Sequence, residues 1–190
     1  FSDALEEHSD IYKNLPEGAV TTPGSEFHAI DGEDRSEHFR AFVHAPFKKD
    51  AEAERNHTSF GLQVTVTSGS DTIRALLLGD LSYPTIKRIF EVSDDEDVAW
   101  DVFLAPHHCS KSVMYGRDEG ETEDTLKRPL LDRIEAARGT NPYIIASSAE
   151  IPDSDKPGDN PPHAEAAKRY RELVPEGNFL CTAEYPSASA

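Results

Sequence analysis

Thr72-Ile73-Arg74-Ala75-Leu76-Leu77-Leu78-Gly79-Asp80 sets the architecture. Its second half is a continuous apolar run, the mark of a strand covered on both faces, and Gly79-Asp80 breaks it. Just upstream, Ser59 to Ser68 alternates Phe60, Leu62, Val64 and Val66 with smaller or polar residues, and Ser68-Gly69-Ser70 supplies a turn, so the two segments make a hairpin. Just downstream, Tyr83 to Val92 has helical spacing at Ile86, Ile89 and Phe90, with Pro84 in its first turn. The apolar strand Asp101 to Ala105 follows an acidic loop. Alternation of buried strands with helices indicates an α/β layered fold.

Toward the C-terminus the pattern predicts a helix over Thr122 to Ala137, bent by Pro129 and closed by Gly139 just past its end. It then predicts a buried strand Tyr143 to Ser147, a helix His163 to Leu173 started by Asn160-Pro161-Pro162, and a short strand Asn178 to Thr182. Toward the N-terminus it predicts strands Glu26 to Ile30 and His38 to Pro46 around the acidic loop Asp31 to Glu37, then an exposed connection Lys48 to Arg55. Ser2 to Leu15 reads as a peripheral helix capped by Ser2 and ended by Pro16. The expected organisation is therefore a peripheral helix and linker over 1–25, one domain over 26–185, and a small-residue tail over 186–190.

The chain has 190 residues, 36 acidic against 19 basic, for a formal charge of -17. Such a surface repels a phosphate backbone and excludes unaided nucleic-acid binding, although a bound divalent metal or a basic partner could reverse the field locally. The two cysteines, Cys109 and Cys181, have no paired metal-ligand spacing, which excludes a disulfide framework and a thiolate zinc site and fits a reducing, cytoplasmic setting. No apolar run approaches the roughly 20 residues that span a bilayer, so no membrane segment is expected. The chain begins at Phe1 and Met114 is its only methionine, which leads to the expectation of a segment upstream.

Two strand-end loops carry the chemistry: Gly79-Asp80 and Ala105-Pro106-His107-His108-Cys109-Ser110. Loops at the carboxyl ends of strands form the ligand crevice of layered α/β proteins, and Asp with His is a pairing that zinc, manganese or iron accepts. Asp80 could equally stop its strand and cap the helix that begins near Tyr83. Adjacent histidines point in different directions, so one can enter a metal site while the other packs or reaches for substrate. Lys111 and Ser110 could contact a phosphate, and His163 could line the same pocket from a helix N-terminus or be an exposed first-turn residue. His28, His38, His44 and His57 lack mutual ligand spacing and read as structural. Cys109 beside a histidine also admits a thiol nucleophile.

Asn56-His57-Thr58-Ser59, Leu77-Leu78-Gly79-Asp80 and Leu104-Ala105-Pro106-His107-His108-Cys109-Ser110-Lys111-Ser112 together resemble the metallo-β-lactamase domain of ComEC-type DNA-uptake proteins. Asn160 to Arg169, after a strand ending at Ser147, resembles that family's late Asn-(loop)-His segment. The resemblance covers about Glu26 to Tyr185 and implies the C-terminal half of a metallo-β-lactamase αββα sandwich. It implies Asp80 as a ligand bridging two divalent metal ions, zinc by preference with manganese or iron as alternatives, and one of His107 and His108 as the terminal ligand, His108 favoured. It places Cys109 where the family has Gly. The family's His-x-His-x-Asp-His signature occurs nowhere in the chain, so the resemblance implies that an N-terminal half supplies those ligands and that the isolated chain is inactive.

The expected function is that of a metal-dependent hydrolase, a phosphodiesterase or nuclease acting on nucleic acid or another phosphodiester once the N-terminal half is in place. The competing expectation is a catalytically degenerate interaction module in a larger assembly.

Overall fold

A computed structural model describes residues 21–47 and 59–185. The expected helix Ser2 to Leu15, most of the linker before residue 25, the connection Lys48 to Arg55, His57 and the tail 186–190 lie outside the described residues.

The fold is α/β. Its main sheet has seven strands, β1 (Glu26–Phe27), β4 (Phe39–Ala45), β5 (Gly61–Ser68), β6 (Asp71–Leu77), β7 (Trp100–Leu104), β10 (Arg138–Ala146) and β11 (Phe179–Cys181), adjacent in that order. Pairing is antiparallel from β1 to β6 and parallel from β6 to β11. Two small hairpins flank it, β2 (Ala29–Ile30) with β3 (Glu33–Asp34), and β8 (Tyr115–Gly116) with β9 (Thr125–Leu126). The expected strand Glu26 to Ile30 is thus split at His28 between two sheets, and the acidic loop after it contains β3.

Helices α1 (Tyr83–Val92), α2 (Asp95–Val98), α3 (Arg128–Ala136) and α4 (Ala164–Leu173) join the strands, with a helical turn at Pro106–Cys109 and a 3-10 turn at Lys111–Val113. α1 buries Tyr83, Ile86, Ile89 and Phe90, the stripe its spacing predicts. α3 is shorter than predicted. Pro129 occupies its first turn, where a missing N–H costs nothing, so the helix begins at Arg128 instead of bending there, and Thr125–Leu126 pairs as a strand. Gly139 does not close α3, which ends at Ala136 with Ala137 as its C-cap. It lies in β10, where an added Cβ would clash with an Asp101 carboxylate oxygen. The Asn160-Pro161-Pro162 start is also corrected. α4 opens after His163, and Asp155 caps it from a distant loop by accepting the N–H groups of Ala164 and Glu165 at 2.6 and 3.2 Å.

The two faces of the sheet differ. On one, the cross-strand row Gln63, Leu76, Phe103, Ile144 and Phe179 faces the helices. Leu76, Phe103 and Ile144 join Ile86, Ile89, Phe90, Leu131, Ile134 and Tyr170 in a buried cluster. On the other face run Leu62, Leu77, Leu104, Ile145 and Leu180 in one row, and Val64, Ala75, Val102 and Tyr143 in the next. None of these nine joins the core cluster, and each remains partly exposed. Val66 and Ile73 extend the apolar face at 51% and 57% exposure, while Ala41 and Val43 on β4 are buried outside the cluster.

His44 is buried on the helix side. Its Nε2–H donates to the Asp97 carbonyl at 2.9 Å, and Nδ1 lies 3.1 Å from the Ser93 hydroxyl. Burial lowers its pKa below 6.5. Above that pH the ring is neutral folded or unfolded. Below it the unfolded chain takes up the proton first, so the stability due to neutral His44 is lost as pH falls. His44→Gln should flatten the fall in melting temperature below pH 6.5 relative to wild type; parallel curves would refute this.

Tyr170 is fully buried in α4, stacked on Phe179 and edge-on to Phe103, and its hydroxyl has no hydrogen-bond partner among the described residues. A buried unsatisfied hydroxyl costs about 1–3 kcal/mol. Tyr170→Phe is therefore expected to raise stability by about 1 kcal/mol in denaturant unfolding, and a loss of stability would contradict it.

Candidate functional site

The parallel strands β6, β7 and β10 end together, and each delivers one component of the site. After β6, the chain turns at Gly79 with φ +51, where an added Cβ would lie 3.0 Å from the Ser59 Cβ and 3.1 Å from the Phe60 carbonyl oxygen. Only glycine fits both the conformation and the space, and Asp80 follows at the sheet rim. Asp80 does not cap α1, whose N-cap is Ser82, so its carboxylate is left to the rim. Of the segment Asn56 to Ser59, only Ser59 is described, and it packs against Gly79.

After β7, Pro106–Cys109 forms a tight turn in which His107, His108 and Cys109 all have left-handed backbone, with φ of +49, +53 and +66. Left-handed conformation costs about 1–2 kcal/mol per non-glycine residue, so the surrounding contacts must hold it. They do so from three sides. The His107 N–H donates to the Gly79 carbonyl at 2.8 Å, the His163 N–H donates to the Cys109 carbonyl at 3.1 Å, and the Ser110 N–H reaches the Pro106 carbonyl at 3.4 Å. Consecutive strained residues beside a sheet rim are a feature of functional sites. The turn keeps at Cys109 a backbone that suits glycine, and the Cys109 side chain enters the core.

The turn aims His108 at Asp80. The His108 Nδ1–H donates to the Ser147 carbonyl, at the end of β10, at 2.8 Å. That bond places the proton on Nδ1 and leaves the Nε2 lone pair 3.5 Å from an Asp80 carboxylate oxygen. Both side chains are open to solvent, His108 at 56% and Asp80 at 41% exposure. A tetrahedral metal with ligand bonds of about 2.0–2.1 Å sets neighbouring ligand atoms about 3.3 Å apart, so the pair fits one edge of such a shell. Ser147 acts as the outer hydrogen-bond partner that orients a ligating histidine. Among the described residues no group of three or more His, Cys, Asp or Glu gathers to hold a metal.

His107 turns away from this edge. Its Nδ1 lies 3.3 Å from the Ser112 hydroxyl, and burial lowers its pKa, with Asp80 opposing. Ser110 is buried and accepts the Ser112 N–H at 3.2 Å, which makes it the cap of the 3-10 turn, and it lines the same cavity as Lys111. His163 is also turned inward, at 4% exposure. Its Nδ1 accepts the Lys111 N–H at 3.3 Å, and its Nε2–H donates to the Asp159 carbonyl at 3.2 Å. Both ring nitrogens are engaged, so His163 fastens α4 to the histidine turn; it is not the exposed first-turn residue that the sequence also allowed, and it lines the cavity beside Lys111. Lys111 lines a cavity of about 490 Å³ with Ser112, Tyr115, Asp124 and Glu165, so its one cation faces two carboxylates.

Cys109 is fully buried, and burial pushes its thiol up to about 12. A thiol held protonated at neutral pH is a poor nucleophile and a poor metal ligand. Cys181 is buried as well, and neither forms a disulfide.

Sequence reasoning missed the roles of Ser147 and Asp155. Ser147 acts through its backbone carbonyl and Asp155 through its carboxylate, each on a residue distant in sequence or in another loop, and only the strand ending at Ser147 gave a local signal. Among the described residues no helix is long and apolar enough to cross a membrane. Comparison with family models, curated proteins and solved structures finds no match to this chain.

Proposed function

We propose that this chain is the C-terminal half of a metallo-β-lactamase-fold hydrolase, with phosphodiesters, nucleic acid among them, as the substrate class. The observation that carries the reading is His108, held by the Ser147 carbonyl with Nε2 facing Asp80 at the spacing of two ligands on one metal. Two ligands are too few, and the remainder would come from an N-terminal half carrying the histidine-rich signature. The apolar sheet face supports the same reading. In a four-layer sandwich that face packs on a second sheet about 10 Å away, and among the described residues the core cluster that the helices complete lies on the other side.

Bound metal would supply a hydroxide at neutral pH and positive charge for the phosphoryl oxygens. The residues of this chain have simpler tasks. Asp80 and His108 hold the ions, and Ser147 fixes the tautomer of His108. Lys111 is the lysine next to the histidine turn that could reach a phosphate once the ions offset Asp124 and Glu165 beside it. Neutral His107 keeps the turn in place through Ser112. With a net charge of -17, a polyanionic substrate would rely on the ions for attraction.

Elemental analysis of the protein assembled with its N-terminal half is expected to find about two metal ions per complex, fewer in both Asp80→Ala and His108→Ala. No metal in the wild type would favour the second reading, a degenerate module that uses the same apolar face to join a larger assembly. That reading draws on the absence of a third ligand among the described residues.

A further inference from the structure

We infer that the cavity at the opposite end of the parallel strands, beneath the start of β7 and β10, is a binding site for a small organic phosphate. Its volume is about 580 Å³, within the roughly 300–1,000 Å³ typical of small-molecule sites. In a chain of net charge -17, three arginines, Arg74, Arg133 and Arg138, converge on it against a single carboxylate, Asp95. The cavity beside the histidine turn has the opposite balance, one lysine against two carboxylates.

Arg133 is the decisive member. It lies in the last turn of α3 and has no ion-pair partner among the described residues, because its acidic neighbours are taken: Asp132 by Arg128 at 3.0 Å and Glu135 by Arg138 at 3.1 Å. Arg138 is anchored further by donating to the Leu173 carbonyl. Arg74 is only loosely paired with Asp101, at 3.8 Å. An arginine fork with free donors recognises phosphate oxygens two at a time. The apolar wall of Ala99, Ala136 and Ala137, each at least partly exposed, offers surface to an organic body that a bare ion would leave unused.

Calorimetric titration of the full chain with adenosine monophosphate and with inorganic phosphate tests this. The nucleotide is expected to bind at least tenfold more tightly than phosphate. Arg133→Gln should weaken it at least tenfold, and so should Ala136→Glu, which adds a carboxylate to the cavity wall at an exposed position. Lys168→Gln, in a separate cavity, and Asp80→Ala should leave binding unchanged, which separates this site from the metal reading. The proposal is overturned by no binding of the nucleotide at millimolar concentration, by equal binding of phosphate and nucleotide, or by unchanged affinity in both cavity variants.

Discussion

Asp80→Ala in the protein assembled with its N-terminal half is expected to lower phosphodiester hydrolysis on the order of 10³-fold, equivalent to about 4 kcal/mol of transition-state stabilisation. The size follows from its position. Among the described residues Asp80 is the carboxylate that faces His108, at 3.5 Å, so under the proposed function its removal would take away one ligand and negative charge at the metal site. His108→Ala should fall to a similar level, because either loss opens the same edge. His107→Gln should retain most metal and most activity, since the structure turns His107 toward Ser112 rather than Asp80. Steady-state rates with metal content measured on the same samples would decide it. A fully metallated Asp80→Ala protein with wild-type kcat/KM sinks the assignment, and a His107 variant that loses metal while His108→Ala keeps it would exchange the two histidines.

What could be read in the chain was what is encoded locally. The hairpin β5–β6, the stripe of α1 and the strand Trp100–Leu104 follow from periodicity, Gly69 and Pro84, and they appear within a residue or two of expectation. The alternating β5 and the continuous run ending β6 also placed Gly79-Asp80 at a strand end, and His107-His108 at the next. Errors arose where a residue type has two uses. Pro129 can bend a helix or begin one, and here it begins α3. Gly139 can end a helix or make room, and here it makes room for Asp101. Asn160 can cap a helix, but Asp155 reaches α4 through space. The tautomer of His108 was illegible for the same reason, since it depends on a backbone carbonyl 39 residues later. So was the one-sided burial of the sheet, because apolar runs such as Ala75 to Leu78 look alike whether the second face meets helices or is left for another layer.

The same limit explains why Gln63 drew no notice, and replacing it is expected to have the largest effect on stability. Gln63→Leu should cost about 1–3 kcal/mol, from the loss of two side-chain donors to part-buried carbonyls at about 0.5–1.5 kcal/mol each. Gln63 stands on β5 among apolar neighbours, at 0% exposure on the helix side of the sheet. Its side-chain N–H groups donate to the carbonyls of Glu96, in α2, and of Ala99, at 2.6 and 2.9 Å, while its oxygen accepts from Thr65 and Arg40. Arg40 in turn pairs with Asp97, and His44 donates to the Asp97 carbonyl. These bonds pin the crossover between α1 and β7 to the antiparallel half of the sheet, and the alignment of β7 with β6 sets where the histidine turn meets Asp80. Urea unfolding should show a midpoint shift of the corresponding size with an unchanged denaturant slope, and Gln63→Glu should be at least as damaging because a carboxylate offers those carbonyls no donor. A Leu variant as stable as wild type would mean that the crossover is held by the packing of Val98 and Trp100 alone.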